Sequence, residues 1–436
     1  MRLTVNDILR SGVDARLPAG SPDAVVEGAS VDSRDVPAGC LFVGVRGETV
    51  DGGQYAIDAL HDGAAAAVVG ESAWRWIEGE AAALRRPVIV APDPVAVLQA
   101  AGRLALERLG ARVVGVTGAT GKTTTKDILV AMLRAAGVAA EGTPGNRNTE
   151  IGVPMSLMGL SEGCEVAVVE MGMRGAGQIA ELARLAPPDV GCITAIAPVH
   201  LELVGTVEGV AAAKAELLEA LRPGGTAVVP AGEPHLAPHL ARLDPGVRVV
   251  EFGDAPDIDL DLSLSKAWEL RNAAAALECC RALGSAPAPG TRIEVAVSAL
   301  RGQERALPGG GLLIEDCYNA NPLAMRAALA DLARRGGRRV AVLADMMELG
   351  EEEERYHREV GAAVAEAGID LLVAVGERAR WYAEAAEGVD TRHFPTVEEA
   401  VEAVPGLVDG AGAVLLKGSR SMRLERIGAA LAPAAS

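Results

Sequence analysis

The chain has 436 residues, half of them apolar, and a formal net charge of −18 at pH 7. That length holds about two to four domains with real cores, so disorder is not the default state. The negative balance offers no basic face to release counterions, which excludes nucleic acid as the main partner, while local backbone donors leave nucleotide binding open.

Taken in chain order, residues 1–100 mix short β-like runs at 40–45, 65–69 and 88–90 with a helical pattern near 54–62. Residues 101–304 alternate apolar strands with amphipathic helices: 112–116 then 122–136, 166–171 then 177–185, 190–195 then 207–221, and a strand at 226–229. Residues 305–436 alternate again: 312–315 then 323–335, 339–344 then 353–367, 371–375 then 378–386, and 413–416 before a final helix. Strands alternating with helices predict parallel, doubly wound sheets for the second and third blocks.

The run Val113-Val114-Gly115-Val116-Thr117-Gly118-Ala119-Thr120-Gly121-Lys122-Thr123-Thr124 carries the most specific signal. A β-branched strand ends in glycines, then Lys-Thr-Thr opens a helix. Glycines admit phosphate oxygens to the backbone, and the helix N-terminus aims N–H groups at them. Lys122 supplies a charge for the β/γ-phosphates of a nucleotide, and the Thr123 hydroxyl is placed to ligate Mg²⁺. Val116 stands where the strict phosphate-loop pattern has its first glycine.

Ligands of open α/β sheets sit at the carboxyl ends of the strands. There the middle block places Glu170 and His200, and the last block Asp316, Asp345, Gly376 and Lys417. A carboxylate such as Glu170 beside a phosphate loop is suited to hold Mg²⁺, against the plainer reading of a solvated strand end. His200 is balanced between a structural and a metal or substrate role. Lys214, on a helix, reads first as a surface lysine; its carbamate would be an oxygen ligand instead. The glycine-flanked loop 145–152 offers Asn146, Asn148 and Thr149 to a reacting group, or is a plain turn. The last-block segments read as capped helix starts or, together, as one binding edge.

Six cysteines, at 40, 164, 192, 279, 280 and 317, form no CxxC pair and no zinc spacing. No charged-then-apolar leader opens the sequence and no apolar run reaches ~18 residues, so a soluble cytoplasmic protein without stable membrane association is expected. Lysine occurs five times, at 122, 126, 214, 266 and 417, among otherwise arginine basic residues. That leaves lysine where arginine cannot substitute chemically, or reflects compositional drift.

Together these residues resemble the Mur ligase family, the ATP-dependent amide ligases of peptidoglycan precursor synthesis. Residues 115–124 are similar to its central signature G-x-T-G-T-x-G-K-T-T. Tyr318-Asn319-Ala320-Asn321-Pro322, Asp345-Met346-Met347-Glu348-Leu349-Gly350 and Lys417-Gly418-Ser419-Arg420 resemble the branch that joins D-alanyl-D-alanine to UDP-N-acetylmuramoyl-tripeptide. The likeness runs from Ser30 to Glu425. It implies a monomeric three-domain α/β enzyme: a small UDP-substrate domain (1–100), a central ATP-binding P-loop domain (101–304) and a Rossmann-like ligase domain (305–436). It implies phosphorylation of the substrate's terminal carboxylate and attack on the acyl phosphate by the dipeptide amine.

By the same resemblance Thr117, Gly118, Ala119, Thr120, Gly121, Lys122, Thr123, Thr124, Asn272, Arg301 and Asp316 contact the nucleotide. Thr123, Glu170, His200 and a carbamylated Lys214 hold magnesium; Lys122, His200 and Lys214 are catalytic. Ser33 and Arg34 face the uridine, and Asn146, Asn148, Thr149, Asn319 and Asn321 face the other substrate groups. The chain departs from the family at Gly53, where a His is usual after Asp-Gly, and at Thr149, the second Asn of a pair. It also departs before Asn272, where Ala267-Trp268-Glu269 stands in the Gly-x-His-Asn region. The 252–272 stretch is short, which implies a more open adenine side. A sister Mur-type ligase, a folylpolyglutamate synthetase and an inactive P-loop scaffold stay as alternatives.

Overall fold

The computed structural model describes residues 1–253, 258–296, 298 and 300–432. Part of the short 252–272 stretch, residues 254–257, lies outside them. Strands that are apolar along their whole length need cover on both faces, and the chain supplies it three times over with helices.

The first sheet runs in the order Arg16–Ala19, Val88–Val90, Ala66–Val69, Leu41–Val43, Ala29–Ser30, with only its Arg16–Ala19 edge antiparallel. Helix Pro94–Leu109 follows, capped by Asp93 accepting from the Val95 amide, with Pro94 in the first turn. It places Val97, Leu98, Ala101 and Ala105 in the first sheet's core and runs unbroken past residue 100. Gly102 lets helix Gly152–Met158 come close: a Cβ there would stand 2.7 Å from Pro154 Cα.

The central sheet is wholly parallel, ordered Arg248–Phe252, Thr226–Pro230, Val190–Ile193, Arg112–Thr117, Val166–Glu170, Ala140–Gly142. Successive side chains of Arg112–Thr117 serve opposite faces. Val114 and Val116 pack under helices Lys122–Ala135 and Ala267–Ala282. Val113 packs with Ile179 and Leu182 of Gln178–Leu185 and Val210 and Leu217 of Val207–Glu219. The chain leaves Arg112–Thr117 toward one edge and later returns on its other side, so a topological switch point lies at the end of that strand.

The last sheet runs Gln303–Ala306, Leu312–Glu315, Ala411–Lys417, Arg338–Ala344, Leu371–Val375, Asp390–Phe394, parallel but for Gln303–Ala306. Helices Pro322–Ala333 and Glu353–Glu366 cover one face, Val397–Leu407 and Glu425–Leu431 the other. One apolar cluster contains residues of both larger sheets, such as Val113 and Leu343, and of the segments that follow their strands, such as Val199, Leu201, Met346 and Leu349. The expected three-part α/β architecture is thus the observed one. Among the described residues no helix is long and apolar enough to cross a membrane, and all six cysteines are buried without a disulfide.

Candidate active site

At the switch point the chain turns through Gly118 (φ +151°) and Gly121 (φ +83°). A Cβ on Gly118 would lie 2.0 Å from Thr194 Oγ1, and one on Gly121 2.5 Å from Asn272 Oδ1, so neither position admits a side chain. The Thr194 hydroxyl donates to the carbonyls of Thr117 (3.2 Å) and Thr120 (2.5 Å), and the Ala119 amide donates to Ala195 O at 2.8 Å. These bonds hold the turn against the neighbouring strand end. Helix Lys122–Ala135 then starts with its unpaired first-turn amides at the turn.

Ala119, Thr120, Gly121, Lys122, Thr123 and Thr124 line one wall of a cavity of about 1290 Å³. Asn146, Asn148, Thr149, Glu170, His200 and Asn272 also line it, as do Arg301, Asp316, Asn319 and Asn321 from the last block. Thr117 and Gly118 do not: Thr117 is buried behind the turn, and Gly118 turns its carbonyl to Lys122 Nζ at 2.8 Å. Burial pulls the Lys122 ammonium below its usual range; Glu170 opposes this and Arg301 adds to it.

Thr123 Oγ1 donates to Glu170 Oε2 at 2.7 Å, and Asn148 Nδ2 donates to Glu170 Oε1 at 2.7 Å. A hydroxyl and a buried carboxylate converging on a phosphate turn are the hard oxygen donors Mg²⁺ uses when substrate phosphates and water fill its other positions. Among the described residues no group of three His, Cys, Asp or Glu side chains converges, so the residues fit such a shared site rather than a closed protein cage. His200 lines the same cavity, but its Nδ1 meets Glu348 Oε2 of the last block. The Leu201 amide also donates to Glu348 O at 2.9 Å. Both partners hold left-handed backbone, φ +54° and +65°. The His200 hydrogen bond keeps the Glu348 carboxyl below its ordinary range although burial opposes it.

Lys214 is not a surface lysine. It is 2 % exposed and, among the described residues, has neither a hydrogen bond nor an ion pair. Burial, helped by the charge of Lys122, drives its ammonium well below the usual range. Burial that disfavours the ammonium, with no acceptor beside it, fits carbamate formation, because only the neutral amine attacks CO₂.

From the last block, Lys417 donates to Asp316 Oδ2 at 2.7 Å and to the Asn319 carbonyl at 3.3 Å. Asn321 caps helix Pro322–Ala333 through Oδ1 (Ala324 amide, 2.9 Å), while its Nδ2 reaches the Ala119 carbonyl of the glycine turn at 3.5 Å. One side chain therefore both caps the helix and reaches the glycine turn. The Arg301 guanidinium lies 4.0 Å over the Tyr318 ring. Asp345 stays outside the cavity and accepts from the Ala379 amide at 2.8 Å; Gly376 lies so close beneath it that a Cβ would be 2.4 Å from Asp345 Oδ1. The following loop is fastened by His357, whose Nε2 accepts the Met346 amide at 3.0 Å while Nδ1 faces the Glu353 carbonyl at 2.6 Å. That pairing requires the proton on Nδ1.

Ser33 and Arg34 are not brought to this cavity. Arg34 is exposed at the end of strand Ala29–Ser30 and pairs with Asp32 at 2.7 Å. Gly53 has a packing reason: a Cβ would stand 2.5 Å from Ala73 Cβ on helix Glu71–Leu84. Thr149 accepts the Gly152 amide at 3.2 Å, at the start of helix Gly152–Met158. Counted back from Asn272, the family's His falls at Arg271 and its Gly at Glu269, so Trp268 stands one position outside that pattern. Trp268 and Arg271 both line the cavity, as do Tyr318, Glu348 and Lys417; the sequence reading places Lys417 at a ligand-binding strand end but assigns none of the five a contact. Three of these lie inside motifs that could have flagged them.

The glycine turn, the carboxylate at the next strand end and the last-block edge around one cavity define an α/β protein with a cleft suited to a phosphate-bearing ligand between two sheets. Three family models match in series: "Mur ligase family, catalytic domain" over residues 25–115, "Mur ligase middle domain" over 116–278 and "Mur ligase, glutamate ligase domain" over 301–420. The chain belongs to the Mur ligase family. It is 31% identical over 434 residues to the UDP-N-acetylmuramoyl-tripeptide--D-alanyl-D-alanine ligase of Bacillus subtilis, covering 92% of each chain. It is 30% identical to the enzyme of that name from Escherichia coli, covering 94% of each. Among solved structures it is similar to MurF from Acinetobacter baumannii (TM-score 0.84, 26% identity, 99% of each chain). It is also similar to MurF ligase from Thermotoga maritima in complex with ADP (TM-score 0.79, 28% identity, 93% of this chain and 97% of that one).

Proposed function

We propose that this chain is an ATP-dependent amide ligase that joins D-alanyl-D-alanine to UDP-N-acetylmuramoyl-tripeptide in peptidoglycan precursor synthesis. The observation that carries the reading is a single cavity walled by the glycine turn on one side and by Asp316, Asn319 and Asn321 on the other. The names of its relatives supply the substrates. In this reading residues 1–100 hold the UDP part, with Ser33 and Arg34 on the uridine; 101–304 hold ATP; and 305–436 bring the dipeptide, in a cytoplasmic, monomeric enzyme.

A carboxylate and an amine do not condense in water without activation. The turn's amides and Lys122 grip the terminal phosphates, so that the substrate carboxylate takes the γ-phosphoryl and ADP leaves. Thr123 and Glu170, with His200 nearby, would hold Mg²⁺, which would neutralise charge on the transferring phosphoryl group. Lys214 would carry the carbamate, formed from CO₂ with loss of one proton, which would supply an anionic oxygen in place of an ammonium. Asn146, Asn148 and Thr149 line the path of the acyl phosphate. Asn319 and Asn321 present the dipeptide, whose amine attacks the acyl carbon as inorganic phosphate departs. Asn272, Arg301 and Asp316, the last held by Lys417, orient the nucleotide. Closing both large domains over the cavity keeps water from the acyl phosphate.

The test is phosphate release with both UDP-N-acetylmuramoyl-tripeptide and D-alanyl-D-alanine present. Release that needs both supports the reading. None at all would indicate a scaffold, and release with a different amino acid a sister ligase.

A further inference from the structure

Lys126 lies one turn beyond the phosphate-gripping Lys122 on helix Lys122–Ala135, is 4 % exposed, and has no part in the function proposed above. Its ammonium crosses to the neighbouring strand end and donates to the Thr143 carbonyl at 2.8 Å. It also pairs with Asp127 Oδ1 at 2.9 Å, and Asp127 Oδ2 accepts the Ser298 hydroxyl at 2.7 Å, which fixes that carboxylate in turn.

Thr143, itself buried, does two further things. Its amide donates to Val168 O at 3.0 Å, and its hydroxyl accepts the Glu170 amide at 3.1 Å. Glu170 then accepts the Thr123 hydroxyl at 2.7 Å. Thr123 and Lys126 stand three residues apart on one helix, hence on one face. The contacts therefore close a ring: Thr123 to Glu170, Glu170 to Thr143, Thr143 to Lys126, and back along the helix. Its members fix the helix carrying Thr123 against the strand carrying Glu170.

The Lys126 stem is closely packed. Gly142 borders the Lys126 stem: a Cβ there would meet Lys126 Cγ and Cδ at 3.3 Å each and Val130 Cγ2 at 3.1 Å. A planar guanidinium with five donors would present a different fork to the Thr143 carbonyl and the Asp127 carboxylate than the compact ammonium does.

We infer that Lys126 is a positioning residue that sets the spacing between the Thr123 hydroxyl and the Glu170 carboxylate through Thr143. The inference rests on the reading of Thr123 and Glu170 as the magnesium holders. Groups that orient metal ligands from behind typically change metal affinity about 10- to 100-fold when removed.

The test measures Mn²⁺ affinity by electron paramagnetic resonance with ADP present, beside ADP affinity in chelator, for the full chain and its variants. Lys126→Met keeps the stem and removes the ammonium; Thr143→Val removes the hydroxyl that accepts the Glu170 amide. Each is expected to weaken Mn²⁺ by about 10- to 100-fold while ADP affinity in chelator stays at the parent value. Thr143→Ser should restore the parent Mn²⁺ affinity, and Lys126→Arg should not. If Lys126→Met does not fold, the Thr143 pair decides. Parent-like Mn²⁺ affinity in Thr143→Val, or an equal loss of ADP binding in chelator, overturns the inference. Glu170→Gln separates the two failures: if it leaves Mn²⁺ affinity unchanged, the metal reading itself is wrong, whatever the Lys126 variants show.

Discussion

In the central sheet, the ends of strands Arg112–Thr117, Val166–Glu170 and Val190–Ile193 open into a cavity that the last block closes from the far side. In the first sheet, the ends of Ala29–Ser30, Leu41–Val43 and Ala66–Val69 carry Ser33, Arg34 and the glycine-rich 44–53 stretch, and none of these residues lines that cavity. Both edges follow the same parallel-sheet plan. What separates them is a second wall: some of the cleft's polar groups are partnered across two blocks, as in His200–Glu348 and Asn321–Ala119, whereas Arg34 pairs with Asp32 two residues away. A pair made across blocks fixes relative position; a pair made within a turn fixes only the turn.

The largest effect should come from the walled side. Lys122→Ala removes a charge at the phosphates and should weaken nucleotide interaction by about 1.5–3 kcal/mol, with a larger loss in turnover. Steady-state phosphate release and ADP titration check it. Parent-like activity would remove the functional half of the comparison.

The cleft loop 345–350 should also depend on pH where the first rim does not. Burial pushes His357 from 6.5 down to about 4, so the folded protein keeps it neutral. A lowered histidine stabilises least in acid: once pH falls below 6.5 the unfolded chain binds the proton more readily, and stability drops until about pH 4. The slope approaches about 1.4 kcal/mol per pH unit. Urea midpoints between these limits should fall steeply for the parent and less so for His357→Gln.

On the rim, Gly53→His restores the residue usual in the family but drives it into Ala73. Overpacking of this kind should cost about 1–3 kcal/mol, read as a lower urea midpoint. An unchanged midpoint would mean that helix Glu71–Leu84 yields, and that packing does not explain the glycine. The smallest expected effect concerns the base: ATP and GTP should support turnover within about one order of magnitude of each other, about 1.4 kcal/mol. Strong ATP preference would show that the Trp268 and Asn272 end of the cavity reads adenine after all.

The glycine turn was legible because its geometry is local. Gly118, Gly121, Lys122 and Thr123 must follow one another closely to do their work, so their spacing is their signature. The alternation of apolar strands and helices placed the two large sheets for the same reason. Helix Ala267–Ala282 escaped because alanine fills its faces and blunts the apolar period, and the polar edge strand Asp390–Phe394 because it has no buried run. Lys214 looked like a surface residue because nothing local shows which helix face a sheet will cover. The His200–Glu348 contact spans 148 positions, a distance over which residue order says nothing. Thr117 fell inside the motif yet faces away, because a strand's alternation sends one of each adjacent pair to the other side.

The scarcity of lysine has a practical outcome. Lys126, Lys214, Lys266 and Lys417 are 4, 2, 7 and 2 % exposed, which leaves Lys122 as the one partly exposed lysine of the folded chain. An acylating reagent should therefore modify the native protein at very few positions. Bound nucleotide should shield one of them, and labelling elsewhere would report that the fold had opened.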